Sequence, residues 1–179
     1  MSQLKELLVE QLQDLLHAET QLTKTIPQMA GAAHNPKLKE TLEKHLTQTE
    51  GHIERLKKAF ELLGEKPQPK PCKAMMGLVE EGQETIKEGA QKQELAADLS
   101  LITAAQKVEH YEISGYGTVR ALARQIGEMD VAKLMSHTLG EEESADFLLS
   151  EVAKPLVQQA ALQDNQELQV QKHIKKATA

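Results

Sequence analysis

The stretch "EHYEISGYG", residues 109–117, decides how this chain is read. Apolar residues lead into it from Leu95, Leu99 and Ile102, and the pattern resumes at Val119, Ala123 and Ile126. Positions 102, 105, 109, 112, 116, 119, 123 and 126 step by threes and fours, as one face of a helix does. Two slots on that face are Glu109 and Glu112. An ionised carboxylate left unpaired in a core costs several kcal/mol, on the order of a domain's whole stability. The chain must therefore have a reason for placing two of them there.

Outward from this helix, which the pattern extends over roughly 94–126 up to Gly127, the same periodicity fills the rest of the chain. Ser2 is a plausible N-cap for a first helix whose stripe runs Leu4, Leu8, Leu12, Leu15, Glu19, Leu22, Ile26 and Met29, with Pro27 expected to kink its last turns. "HNPKL" restarts the chain with Asn35 as cap and Pro36 at the first helical position, and Gly64 stops this second helix after Leu63. The proline-rich "GEKPQPKP" is a stiff connection ending at Cys72. Residues 73–90, with three glycines, read as a short crossing helix, and a fourth long helix is expected from about Glu128 to about Leu162, bent at Pro155. Four long helices with a long connection between the second and third make an all-α four-helix bundle with a crossover. We expect the bundle over 1–162 and a C-terminal helix or tail over 163–179.

Composition agrees. Aromatic residues are 2% of the 179 and Trp is absent, which suits helices rather than strands. A formal net charge of −6 argues against broad nucleic-acid binding, which needs a basic patch. The single cysteine excludes an intrachain disulfide, and no apolar run approaches the ~20 residues of a membrane span. Met1 leads directly into an amphipathic pattern rather than an apolar leader, so a soluble cytoplasmic protein is expected.

Acidic residues recur near mid-length in the other helices. Glu19 lies between Leu15 and Leu22; Glu50 is four after Leu46 and three before Ile53, with Glu54 one turn on; Glu142 lies midway between Met135 and Leu149, followed by Asp146. Any one of these could be an edge glutamate whose stem packs while its head reaches water. Seven acids on or beside four inward faces, in stripes without Lys or Arg, call for cations or shared protons. Carboxylates at one level of a four-helix bundle are how a di-iron or di-manganese centre is built. Glu109 and Glu112, three apart, differ by about 60° around a helix and reach one cavity. His45 and His137 each precede an acid pair by five residues, and Tyr116 follows Glu112 by one turn. These three are candidates for supporting the carboxylates from behind, while His110 and Tyr111 lie off the face and Cys72 carries no nucleophile motif.

"HLTQTEGHIERLKKAFELLGEKP", "PCKAMMGLVEEG", "AAQKVEHYEISGYGTVRALA" and "LGEEESADFLL" closely resemble the YciE/YciF stress-protein family, a ferritin-like group, over about residues 3–160. The resemblance implies a ferritin-like bundle, usually dimeric, with a di-metal site and a link to stress responses. It matches Glu19 to the first-helix acid, Glu50 to the second-helix acid, Glu109 and Glu112 to the rubrerythrin-like E-x-x-E pair, and Glu142 to the fourth-helix acid. The wider superfamily usually has His three residues after the second- and fourth-helix acids, where this chain has Ile53 and Ala145. Glu54 and Asp146, or waters, would then complete the shell, and an oxygen-rich site favours two ions of iron or manganese over zinc. The expected function is oxygen- or peroxide-linked redox chemistry at that centre. The alternative is a dimeric helical stress protein with a structural metal that acts through partners. Adjacent pairs such as Leu7/Leu8 and Leu15/Leu16 widen the apolar stripe beyond one bundle face, which also predicts a homodimer.

Overall fold

A computed structural model describes residues 2–177, which form five helices and, among them, no strand. They are α1 (Gln3–Ala32), α2 (Pro36–Leu63), α3 (Lys73–Gly89), α4 (Glu94–Gln125) and α5 (Met129–Ala177). The caps are local chemistry. Ser2 Oγ accepts from Lys5 N, Asn35 Oδ1 accepts from Lys37 N and Leu38 N, and Gly64 ends α2 at φ 70°, a left-handed conformation that glycine adopts without a Cβ penalty.

α1 and α2 form one antiparallel pair, α4 and α5 another, with α1 beside α4 and α2 beside α5. The ends are tied by polar contacts. The buried Asp98 carboxylate near the start of α4 accepts from His34 N and Asn35 N in the α1–α2 turn, and at the other end Lys5 Nζ donates to Leu63 O. The connection after α2 runs back along α1, where Lys70 N donates to Gln13 O, and delivers α3 onto α1 and α4. α4 therefore starts at the same end of the bundle as α2. No described helix is long and apolar enough to cross a membrane.

Two apolar layers fill the interior. One gathers Leu8, Leu12, Leu56, Phe60, Val119 and Met135; the other gathers Leu22, Ile26, Leu42, Met75, Ile102 and Leu149. Each side chain of this size contributes roughly 1.5–3 kcal/mol on leaving water. Between the layers lies a belt of buried polar residues from all four long helices.

Two readings of the sequence are filled in and one is corrected. Residues past Leu162 continue α5 to Ala177, because Gln, Glu, Leu, Lys and Ala sustain a helix and no breaker intervenes. Pro27 and Pro155 lie inside helices that carry on past them. Leu15 and Leu16 are both buried within one chain, so of those two pairs Leu7 is exposed, with Leu4 and Leu62 exposed at the same end.

Candidate metal centre

Each long helix presents a seam that steps by threes and fours, and each seam turns polar at the same level. On α1 it is Leu12, Leu15, Glu19, Leu22, Ile26; on α4, Ile102, Ala105, Glu109, Glu112, Tyr116, Val119; on α5, Met135, Thr138, Glu142, Ala145, Leu149, all buried. α2 gives Leu38, Leu42, His45, Thr49, His52, Leu56, Ala59 and Leu63, again all buried. The α2 register differs by one residue from the one read off the sequence. Leu46 and Ile53, one heptad apart, mark a half-buried flank, and the seam itself passes through two histidines and a threonine.

The consequences are specific. Glu50 and Glu54 are exposed, and Glu54 pairs with Lys57 at 2.7 Å. Asp146 is half-buried beside the centre, where its Oδ1 accepts from Gln106 Nε2 at 2.9 Å, and His110 lies 3.5 Å from it on the surface. His137 is exposed, 3.8 Å from Glu141. None of these four predicted residues shares a convergent group with the buried acids among the described residues. Glu19, Glu109, Glu112 and Glu142 are brought together, and His45 joins them directly rather than from behind. His52 and Thr49 were missed. Extending the spacing of Leu38, Leu42, Leu56 and Leu63 through the polar gap would have found both.

The ligating atoms fall into two groups, His45 with Glu109, Glu112 and Glu142, and Glu19 with His52 and Glu142, the atoms of each group lying within 4.8 Å of one another. Glu142 belongs to both. Its Oε2 lies 3.7 Å from His45 Nε2, while its Oε1 lies 2.9 Å from His52 Nδ1. His45 Nε2 is 3.3 Å from Glu109 Oε1, and His52 Nδ1 is 3.2 Å from Glu19 Oε1. Despite these distances, His52 Nδ1, both oxygens of Glu112 and of Glu142, Glu19 Oε2, Glu109 Oε2 and Thr49 Oγ1 have no hydrogen-bond partner of acceptable angle among the described residues. Buried polar atoms are normally satisfied. Atoms that converge on shared points without bonding one another fit cations placed at those points.

Electrostatics say the same. Burial, then the charges of Glu19, Glu142 and Glu109, push the Glu112 carboxyl well above its ordinary value. Burial and the carboxylates of Glu142 and Glu19 do so for Glu109. Burial raises Glu142 to about 7, although the His52 imidazole beside it opposes the rise. Burial and the nearby His52 lower His45 to about 4. Burial would lower His52 as well, but Glu142 and Glu19 outweigh it and hold the ring at about 10. Without cations, protons on these carboxyls and on His52 must supply the missing positive charge.

Behind the two groups stand supports. The Tyr116 hydroxyl, fully buried, donates to Glu19 Oε1. Glu141 Oε2 lies 3.1 Å from His52 Nε2 and accepts from Arg55 at 2.6 Å, and Arg55 also donates to Thr138 Oγ1. A carboxylate on the far nitrogen of an imidazole fixes which nitrogen faces the site. Here Nε2 is bound to Glu141, which leaves Nδ1 for Glu19 and Glu142. Arg55 and Glu141 were missed because both sit on the flank of their stripes. Farther out, Tyr111 bridges Asp14 of α1 and the thiol of Cys72, which caps α3 by accepting from Met75 N.

The family model described as a domain of unknown function, DUF892, matches residues 3–162. Protein YciF of Escherichia coli is 42% identical over 154 residues, 86% of this chain and 92% of that protein. The crystal structure of the E. coli stress protein YciF matches with a TM-score of 0.84 at 39% identity, covering 88% of this chain and 99% of that one. YcfI from Rhodopseudomonas palustris matches with a TM-score of 0.79 at 37% identity, over 83% of this chain and 94% of its own. With the family model spanning the bundle and this degree of identity to YciF, the chain belongs to the DUF892 family of YciF-like helical proteins.

Proposed function

We propose that this protein is a di-metal protein whose centre binds two iron ions between α1, α2, α4 and α5 and reacts with dioxygen or peroxide, in a stress-related role like that named for YciF. The observation that carries the reading is Glu142, whose two oxygens face two different groups of buried, otherwise unpartnered ligand atoms. His45, Glu109 and Glu112 would hold one ion, Glu19 and His52 the other, and Glu142 would bridge. Imidazole and carboxylate together suit iron, with manganese the nearest alternative. Two ferrous ions would supply two electrons, which with two protons reduce dioxygen to hydrogen peroxide or hydrogen peroxide to water. The chain's own part is positional: Glu141 and Arg55 hold the His52 ring, Tyr116 holds Glu19, and the apolar layers exclude water from both ends.

The test is elemental analysis of protein purified without chelator, followed by anaerobic ferrous loading and exposure to dioxygen or peroxide under Mössbauer spectroscopy. Roughly two irons per chain that become ferric are expected. No uptake of iron or manganese overturns the centre; uptake of iron that stays ferrous under both oxidants leaves the metal a structural role. Pairing with a second copy is proposed through the exposed Leu4, Leu7 and Leu62 at one end of the α1–α2 pair, and light scattering at the monomer mass would exclude it.

A further inference from the structure

A cavity opens beside the centre between α1, α2, α3 and α4. Its walls include Leu22, Ile26, Leu78, Val79, Ala105 and Val108, and two of its lining residues, His45 and Glu109, belong to the first ligand group. The space open to the centre of a water-sized sphere is about 20 Å³. About 10–15 Å³ admits one water, so a molecule of two or three heavy atoms fits.

The wall offers such a molecule almost no hydrogen bonds. The Thr25 hydroxyl donates to Gln21 O at 3.1 Å, which leaves it only an acceptor toward the cavity. The remaining polar atoms are those of His45 and Glu109, among them His45 Nδ1 and Glu109 Oε2, which have no hydrogen-bond partner among the described residues. A buried water needs two to four polar partners, and an apolar cavity stays dry yet takes up apolar gases. Hydrogen peroxide, with two O–H donors to satisfy, is disfavoured in the apolar part of the space for the same reason.

Gly82 makes the space look maintained. It is buried in the middle of α3 and lines the cavity. Glycine inside a helix costs roughly 0.5–1 kcal/mol relative to alanine, and close approach of another segment is the usual reason for it. No such approach occurs here, because, apart from its chain neighbours and the adjoining backbone of its own helix, no described heavy atom lies within 4 Å of where its Cβ would stand. Gly82 lines the cavity, and a side chain at this position would enter space that is open here.

We infer that this cavity is a binding pocket for a small apolar gas of the dioxygen class, roofed by α3 at Gly82 and leading to the centre at His45 and Glu109. Its destination rests on the di-metal reading; its gas binding does not. The first test therefore uses metal-free protein under xenon. Saturable xenon-induced methyl shifts at Leu22, Ile26, Val79 and Val108 are expected, lost in Gly82→Leu and Val79→Phe, either variant sufficing if the other fails to fold. Absence of those shifts in the wild type, or their persistence in a folded filled variant, overturns the pocket. The second test loads ferrous iron anaerobically and follows its oxidation. A filled variant should bind iron as wild type does, react with dioxygen at least tenfold more slowly, and keep its rate with hydrogen peroxide within about twofold. Unchanged dioxygen rates, or equal slowing with both oxidants, would overturn the gas route. Failure of the chain to take up iron or manganese would sink the di-metal reading and leave the xenon result to decide the pocket.

Discussion

On α2, the half-seam His45, Thr49, His52 and the half-seam Leu56, Ala59, Leu63 occupy equivalent helical positions and are equally buried. The second half lies in an apolar layer with Leu8, Leu12, Phe60, Val119 and Met135, where side chains are satisfied by contact. The first lies in a belt where imidazoles and carboxylates face one another without completing their hydrogen bonds. The same backbone geometry thus serves two ends. The apolar layers carry stability and set the distances between helices, and the belt spends part of that stability to keep ligand atoms convergent.

The sharpest way to break this comparison is Glu112→Ala. Loss of metal binding is expected, together with metal-free stability at least equal to wild type, because removing one carboxylate relieves burial and repulsion among the rest. Thermal melts with and without ferrous iron read both signs, and equal destabilisation in the two conditions would make Glu112 an ordinary packed residue. Phe60→Ala, in the apolar layer, should behave oppositely. It empties a fully buried site and should cost about 3–5 kcal/mol with or without metal.

Replacing Glu141 by Gln keeps the shape but removes the charge that holds His52 Nε2 and Arg55. Such supports typically account for about 10–100-fold in metal affinity, which titration calorimetry would read; an unchanged affinity would mean the His52 ring is fixed by packing alone.

The pH dependence of the metal-free chain follows from the directions of its shifts. Glu109, Glu112, Glu142 and His52 all bind protons more tightly folded than unfolded, so each contributes stability that is lost as pH rises. For Glu142 the window runs from 4.5 to about 7, and for His52 from 6.5 to about 10. His45 has the opposite sign but acts only as pH falls from 6.5 toward about 4. Above pH 6.5 the contributions agree, and the melting temperature of metal-free protein should fall by several degrees by pH 8. Bound cations replace those protons and should flatten the curve. A metal-free melting temperature that rises over this interval would contradict the arrangement of charges.

The smallest effect contrasts two glycines of the stretch 109–117. A Cβ on Gly117 would meet nothing within 4 Å among the described residues, so Gly117→Ala should stabilise α4 by about 0.8–1 kcal/mol. A Cβ on Gly115 would stand 2.8 Å from Cδ2 of the buried Leu15, where α1 crosses. The same propensity gain is then offset by an overpacking cost of about 1–3 kcal/mol. Equal melting temperatures for the two variants would mean that Leu15 yields freely.

The sequence by itself determined the helices, their caps, and the polar interruption on α1, α4 and α5. Apolar residues spaced by threes and fours on either side of the acids set the phase of those seams, so Glu19, Glu109, Glu112 and Glu142 are read as inward without any structure. On α2 the phase is ambiguous within one helix. Leu46 and Ile53 are as apolar as Leu42 and Leu56, and a half-buried flank has the same period as a seam. Only packing against α1 and α5 decided that His45 and His52 face the carboxylates while Glu50 and Glu54 face water. Tertiary structure alone also placed Glu141 and Arg55, 86 residues apart, behind the same imidazole. Periodicity fixes angles around one helix axis; which atoms of four axes meet at one point depends on how those helices are rotated and spaced, and that is set by the apolar layers on either side.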